Sequence, residues 1–434
     1  MKKIAFYLLV LVAIVSNGQT TAELSESFLK KMIREQFDSC QTYFDTSVSN
    51  QLNPEMMKEM WSRIPQYVGE YKSYEDIRTE KADTLEATLI RCTFAKTKLD
   101  LKLVYNTHKK IVGIFFLPPK SKSAYNPPDY YEASKMYETK LTVKTGTFEL
   151  PGLLCVPNNV TDPPVVILIA GSGPNDKDET IGPNKPLKDI AIGLAGKGIA
   201  SLRYDKRTNK YPGMKAETIG LNEEVVDDAL SAIKQIRANP LTKGSKIFIA
   251  GHSLGAMCAP LIASKSKDVS AIIMIAGPAR PLEDLIYEQI GYIASLSKDT
   301  IGNAAEMKEL GKQIATVKDP KALKKAEAKD LPLGMPLHYW QSLKAYDQVK
   351  TAKKLKQPVL VLQGERDYQV SMKDLEIWKK ELGSNPKNKF ISYPELNHLL
   401  LKGEGKSIPG EYMNPGNVDH KLILDMVEFI KSVK

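Results

Sequence analysis

Hydrophobic residues change their spacing along this chain near residue 120. Before that point, two segments repeat apolar residues at helical intervals, at 24–37 and 54–64. Four strand-like runs follow, at 73–81, 84–96, 99–106 and 109–117. Two helices followed by strands with short polar turns predict a small α+β domain, which we place at residues 22–118.

From residue 135 onward, continuous apolar runs alternate with helical segments. Such runs are typical of strands that are buried on both faces. They lie at 164–170, 199–204, 246–250, 271–276, 358–363 and 389–393. The alternation predicts an α/β fold with a doubly wound, mostly parallel sheet over residues 135–434. Residues 281–356 have helical patterns and are too long for a plain crossover, so we expect a helical lid over the carboxyl ends of the strands.

Two segments flank the first domain. Residues 119–134 are rich in Pro, Ser and Lys without apolar periodicity, which indicates a linker. Residues 1–18 combine two lysines, an apolar run at 4–15 and small polar residues, a pattern typical of a cleaved secretory signal peptide. A helical membrane anchor is the alternative, but the run is shorter than the about 20 residues that span a bilayer. We expect an exported protein, periplasmic or secreted, with no integral membrane segment after signal cleavage.

Composition narrows the possible functions. With 42% hydrophobic and 26% charged residues, the 434-residue chain is typical of globular proteins. The 61 Lys and Arg exceed the 51 Asp and Glu, but Lys-rich segments also carry acidic residues, so we expect no nucleic-acid partner. Five scattered histidines and four separated cysteines form no metal-binding pattern, and no phosphate-binding loop is present. We therefore predict no metal and no cofactor.

The four cysteines are expected to divide into two kinds. Export permits disulfides, and Cys40 and Cys92, both in the first domain, are the better pair for a single bridge. Cys155 and Cys258 are expected to be small buried hydrophobic residues.

The strongest chemical signal is the sequence Gly-His-Ser-Leu-Gly at 251–255. It directly follows a predicted strand at 247–250 and precedes a helical run at 256–265. A serine raised on such a turn needs a strained backbone, and the flanking glycines let strand and helix approach each other. We predict that Ser253 is a nucleophile.

A nucleophilic serine needs a histidine base and an acid that orients the histidine. When the serine lies on a strand–turn–helix element of this kind, the acid comes later in the sequence than the serine, and the histidine comes after the acid. His398 lies just after the last predicted strand, and Asp367 lies in the short loop after the strand before it. We predict His398 as the base and Asp367 as the acid. Glu365 is the rival acid.

Catalysis at a serine also needs donors for the negative oxygen of the intermediate. The N–H group of Leu254 is one candidate, because it follows the nucleophile at the start of a helix. The loop at 171–174 supplies the N–H groups of Ser172 and Gly173 as the others. The alternative is that this loop is only a tight turn.

Three lid residues, His338, Tyr339 and Trp340, are the best candidates to contact substrate. Simple packing of this aromatic cluster is the alternative. All predicted catalytic residues lie after residue 170, so the first domain is not needed for bond breaking.

Several motifs together resemble those of bacterial α/β-hydrolases of the thermophilic carboxylesterase (EstD-like) type. They are Gly-Ser-Gly-Pro-Asn-Asp-Lys-Asp-Glu at 171–179, Leu-Arg-Tyr-Asp-Lys-Arg at 202–207, the serine pentapeptide, Leu-Gln-Gly-Glu-Arg-Asp-Tyr-Gln-Val at 362–370, and Asn-His at 397–398. The resemblance covers about residues 137–434. It implies an α/β-hydrolase fold, a triad of Ser253, Asp367 and His398, and hydrolysis of small-molecule carboxylic esters through an acyl-enzyme.

The first domain resembles the small α+β domain often fused to these hydrolases. Two other functions remain open at this point. One is a serine peptidase or acyltransferase with the same chemistry, and the other is a non-catalytic ligand-binding protein on a hydrolase fold.

Overall fold

The structure of the protein, a computed structural model, describes residues 19–49, 52–82, 85–95, 97–117, 125–296 and 300–433. The predicted signal peptide at 1–18 and the first part of the predicted linker lie outside the described residues. The chain divides into two compact units, at 1–119 and 120–434.

The first unit packs helices against one antiparallel sheet. The helices are α1 (Thr21–Ile33), α2 (Phe37–Cys40), α3 (Thr46–Ser49) and α4 (Pro54–Val68), with a 3₁₀ turn at Gln41–Tyr43. The strands are β1 (Tyr71–Ala82), β2 (Leu85–Phe94), β3 (Lys98–Tyr105) and β4 (Ile111–Leu117), paired in that order. Thr20 caps α1 in a capping box with Glu23, and Phe28, Leu29 and Met32 of α1 are fully buried in the core.

The single bridge that export would permit, between Cys40 and Cys92, is not present. Cys40 and Cys92 are both free and both lie in the apolar core of the first unit. Burial raises the pKa of Cys40 to about 11 and that of Cys92 to about 12, which keeps both thiols protonated and weakly reactive. Cys155 and Cys258 are free and buried, as predicted.

The second unit is built on an eight-stranded sheet. Its strands are β5 (Met136–Lys140), β8 (Gly152–Pro157), β9 (Val165–Ile169), β10 (Ala200–Tyr204), β11 (Ile247–His252), β12 (Val269–Ile275), β13 (Val359–Gly364) and β14 (Lys389–Tyr393). Their order is β14-β13-β12-β11-β9-β10-β8-β5, and only the pairings that involve β8 are antiparallel. A hairpin of β6 (Val143–Thr145) and β7 (Phe148–Leu150) lies between β5 and β8 in the chain.

Helices cover both faces of this sheet. The main helices outside the insertion are α5 (Pro186–Ala195), α6 (Arg207–Lys210), α7 (Asp227–Ala238), α8 (Leu254–Lys265), α14 (Met372–Leu382) and α15 (His420–Ser432). Two apolar cores result, one containing α7, α8 and α14 and the other α5 and α15. The predicted doubly wound, mostly parallel sheet preceded by a small α+β domain is confirmed.

The insertion between β12 and β13 is helical. It contains α9 (Leu282–Ser295), α10 (Thr300–Lys318), α11 (Pro320–Leu323), α12 (Leu337–Lys344) and α13 (Gln348–Ala352). The Gln289 side chain in α9 donates to the carbonyl of Gln369, in the loop after β13, at 2.9 Å. This contact places α9 at the carboxyl end of the sheet.

The second part of the predicted linker is packed, so the linker prediction is wrong from residue 125 onward. The Tyr125 hydroxyl donates to the Asp189 carboxylate at 2.5 Å, and the Tyr130 hydroxyl donates to the carbonyl of Val418 at 2.9 Å. The Tyr130 ring also stacks on His420, with 4.8 Å between ring centroids. Isolated aromatic anchors make these contacts, and they leave no periodic signal in the sequence. Across the described residues, no helix is long and apolar enough to cross a membrane.

Candidate active site

Ser253 occupies a sharp turn between β11 and α8. Its φ of 52° and ψ of −116° lie outside the ordinary regions for a residue with a side chain, and its N–H donates to the carbonyl of Ile275 at 2.9 Å. A Cβ on Gly251 would lie 2.2 Å from the carbonyl carbon of Gly255, and one on Gly255 would lie 2.4 Å from the carbonyl oxygen of Ile169. Both glycines are therefore sterically required for this turn.

The predicted base and acid are in direct contact. His398 Nδ1 lies 2.7 Å from Asp367 Oδ2, and both residues are buried. Asp367 Oδ1 accepts the N–H groups of Gln369 and Val370 at 2.8 and 3.0 Å. Since an ionised carboxylate only accepts, Nδ1 carries the proton and Nε2 of His398 is left free to accept one.

Glu365, the rival acid, is exposed and accepts a hydrogen bond from Ser392 Oγ at 2.8 Å.

Within the described ranges, Ser253 Oγ makes no hydrogen bond with His398. Catalytic hydrogen bonds of this kind are often long without substrate and shorten in the reacting complex.

The three predicted oxyanion donors differ in whether their N–H groups already have a hydrogen-bond acceptor. Leu254 is the first residue of α8, so its N–H has no partner inside the helix, and neither it nor the Ser172 N–H has an acceptor in the described part of the chain. The Gly173 N–H instead faces Glu224 Oε1 at 3.3 Å. The structure therefore leaves Ser172 and Leu254 available and commits Gly173 to a structural contact.

The three residues predicted to contact substrate differ in how far they are exposed. His338 is exposed, whereas Trp340 has no exposed area and belongs to the core that contains α8. The packing alternative therefore describes Trp340. The Tyr339 hydroxyl donates to Glu224 Oε2 at 2.6 Å, which connects α12 to the residue that holds Gly173.

Sequence reasoning missed four buried charged residues around the loop at 171–174. Lys206 Nζ donates to the carbonyl of Gly171 at 2.7 Å and to Glu224 Oε1 at 2.6 Å. Glu179 Oε1 accepts the Gly171 N–H at 2.7 Å and lies 3.0 Å from Nδ1 of His252. Three of the four residues, Glu179, Lys206 and His252, lie inside the quoted motifs. For Lys206 and His252, a position at the end of a strand was the available signal.

The charge of Glu179 also acts on His252. Burial alone would lower the pKa of His252, but the Glu179 carboxylate and the hydrogen bonds on both ring nitrogens outweigh it and hold the pKa above its usual value. Across the described residues, no group of three His, Cys, Asp or Glu side chains is arranged to hold a metal ion.

Comparison with known proteins identifies the family of this chain. A family profile described as serine aminopeptidase, S33, matches residues 186–405, and one described as a protein of unknown function (DUF3887) matches residues 25–114. The chain is 36% identical over 411 residues to Esterase EstD of Thermotoga maritima, with 93% of each chain covered. The chain belongs to the EstD family of α/β-hydrolases. This membership confirms the resemblance stated from the motifs.

Two solved structures similar to this EstD-family chain are esterases. Est1E of Butyrivibrio proteoclasticus, solved with ferulic acid, matches with a TM-score of 0.46 and 17% identity, covering 68% of this chain and 98% of its own. A Pyrococcus furiosus esterase matches with a TM-score of 0.43 and 16% identity, covering 72% and 99%.

Proposed function

We propose that the protein is a serine hydrolase that cleaves small-molecule carboxylic esters, with Ser253 as nucleophile, His398 as base and Asp367 as orienting acid. The observation that carries the proposal is the 2.7 Å contact between Asp367 and Nδ1 of His398. This contact leaves Nε2 of His398 as the proton acceptor, at the same carboxyl end of the sheet as the strained turn that carries Ser253. Family membership with a named esterase supports the same reaction class.

Each step of the reaction has a residue to perform it. Ser253 Oγ attacks the ester carbonyl carbon while His398 Nε2 takes its proton. The Ser172 and Leu254 N–H groups stabilise the negative oxygen that forms. When the C–O bond breaks, Nε2 returns the proton to the departing alcohol and an acyl-enzyme remains. A water molecule, deprotonated by Nε2, then attacks the acyl carbon. As the bond to Ser253 Oγ breaks, Nε2 returns this proton to Oγ, and the carboxylic acid leaves.

A peptidase is the second candidate, because the matching family profile is described as serine aminopeptidase. Amide and ester cleavage use the same nucleophile, so the test must vary only the bond that breaks. Purified protein is assayed on alanine p-nitrophenyl ester and on alanine p-nitroanilide, which share the alanyl group and the p-nitrophenyl ring, with Ser253→Ala as the control for both. We expect turnover of the ester at least a hundredfold faster than that of the amide, and loss of both in Ser253→Ala. Faster cleavage of the amide would assign the protein to the peptidases.

Export is also part of the proposed function. It rests on the charged residues and apolar run within residues 1–18. Expression of the full chain in a Gram-negative host should give a protein in the periplasm or medium that begins near residue 19, as read by N-terminal sequencing. A cytoplasmic protein that retains Met1 would contradict this proposal.

A further inference from the structure

A second acid–histidine pair, Glu179 and His252, is buried beside the candidate site and has no part in the proposed reaction. Each side chain is about 3% exposed. His252 Nδ1 lies 3.0 Å from Glu179 Oε1, and His252 Nε2 lies 2.8 Å from the carbonyl oxygen of His398. The rings of His252 and His398 are 4.7 Å apart.

The hydrogen-bond partners restrict the proton positions of this pair. A carbonyl oxygen only accepts, so Nε2 of His252 must carry a proton. Nδ1 faces Glu179 Oε1, which already accepts the Gly171 N–H at 2.7 Å. One proton is therefore shared between Nδ1 and the carboxylate, and the buried pair is neutral as a whole. Glu179 Oε2 is buried and has no hydrogen-bond partner within the described residues, so the histidine supplies the main compensation for this carboxylate.

The pair connects two loops that the reaction needs. Glu179 holds Gly171, the residue before the free Ser172 N–H, and His252 holds the backbone of His398. His252 is also the residue before Ser253. The pair thus contacts the elements that carry the nucleophile, an oxyanion donor and the base.

The backbone of Glu179 is strained to make these contacts. Its φ is 53°, in the left-handed region that residues with a side chain seldom adopt. Strain of this kind persists where the surrounding contacts fix the residue, and it often occurs at functional sites.

We propose that Glu179 and His252 are positioning residues that hold the loop at 171–174, which carries the Ser172 N–H, and the loop that carries His398 at a fixed separation across Ser253. This inference rests on the proposed ester hydrolysis. It assigns the pair no proton transfer with substrate. Its role is to keep the donors and the base in the geometry that the transition state requires.

Glu179→Gln tests the shared proton directly. The amide oxygen can still accept one hydrogen bond, but the lost charge disfavours the doubly protonated His252, which then cannot donate from both nitrogens. We expect kcat for p-nitrophenyl acetate to fall 10- to 100-fold while KM changes less than threefold, because the geometry of the transition state is affected more than binding of a small ester.

Two substitutions at His252 provide a rescue test. A glutamine amide reaches approximately the position of Nε2 and can donate to the His398 carbonyl, whereas an asparagine amide reaches only the position of Nδ1. We therefore expect His252→Gln to retain at least fivefold more kcat than His252→Asn. Asp425→Asn is the matched control for Glu179→Gln, since Asp425 is a buried carboxylate whose hydrogen-bond partners among the described residues are Tyr393 and Lys421.

All values of kcat are divided by the fraction of protein that a fluorophosphonate probe labels, so that misfolded molecules do not count. A kcat within twofold of wild type in Glu179→Gln, or equal kcat in His252→Gln and His252→Asn, overturns the inference. So does an equal fall in kcat in Asp425→Asn, which would reveal a general effect of lost stability. Absence of ester turnover in the wild type would instead overturn the proposed function, so the two failures are distinguishable.

Discussion

Replacing Asp367 by asparagine should invert the hydrogen bonding of His398. Asp367 Oδ1 accepts two backbone N–H groups, those of Gln369 and Val370. In Asp367→Asn the amide oxygen must take that position, because an NH₂ group cannot accept them. The NH₂ group is then forced into the place of Oδ2, where it faces Nδ1 of His398 at 2.7 Å and the Gln363 amide at 3.2 Å.

An NH₂ group can only donate, so Nδ1 of His398 must give up its proton and Nε2 must carry it. The imidazole then presents a donor to Ser253 where the reaction needs an acceptor. The same change of tautomer in a serine protease triad lowers kcat by about 10⁴-fold, which corresponds to about 5.5 kcal/mol of activation free energy. We expect a loss of that order here, with the fold retained.

The assay is kcat for p-nitrophenyl acetate at pH 7.5, with circular dichroism to verify folding. The control is Glu365→Gln, because Glu365 is exposed and its carboxylate accepts a hydrogen bond from Ser392, outside the pair of Asp367 and His398. We expect the control to stay within twofold of wild type. A kcat within tenfold of wild type in Asp367→Asn, or a large loss in Glu365→Gln, would refute this reasoning.

Three further perturbations test the packing and electrostatics of the second unit. Gly251→Ala places a methyl group 2.2 Å from backbone atoms, so the free energy of unfolding in urea should fall by about 3 kcal/mol or more, and activity should fall with it. Gly213→Ala is the control, because a methyl group there would have nothing within 4 Å, and it should change the free energy of unfolding by less than about 1 kcal/mol. Tyr339→Phe removes a buried donor to Glu224 and should cost about 1–3 kcal/mol of unfolding free energy in the same assay. Burial raises the pKa of Asp189 to about 6, so the folded state retains a proton that the unfolded state has lost, and stability falls as pH rises from about 4 to 6. Asp189→Asn lacks this titration, so its stability relative to wild type should improve by up to about 3 kcal/mol across that interval, and a constant difference would contradict the assignment.

The parts of the site predicted from sequence depend on short-range requirements. The turn at Ser253 needs glycine at 251 and 255 because nearby backbone leaves no room for a side chain. The pentapeptide sequence alone therefore predicts the turn. The contact between Asp367 and His398 could be predicted because each follows a continuous apolar run, and parallel strands place their carboxyl ends at one end of a sheet. The doubly wound sheet could be predicted because these continuous apolar runs alternate with helical segments.

The parts that sequence did not predict depend on pairs that are distant along the chain. Glu179 meets His252 across 73 positions, and no periodic pattern marks such a partner. The same holds for the contact between Tyr339 and Glu224 across 115 positions. For Trp340 the sequence leaves both substrate contact and core packing open, because amphipathic spacing distinguishes a buried face from an exposed one but does not separate a core from a pocket.

The most direct test of the account is the site of covalent labelling by a fluorophosphonate. Intact mass spectrometry and peptide mapping should show one adduct per chain on Ser253, and ester hydrolysis should fall in proportion to the labelled fraction. Ser253→Ala should take up no label and hydrolyse no ester. Labelling at another residue, or ester turnover that persists in the fully labelled protein, would contradict the assignment of Ser253 as the nucleophile.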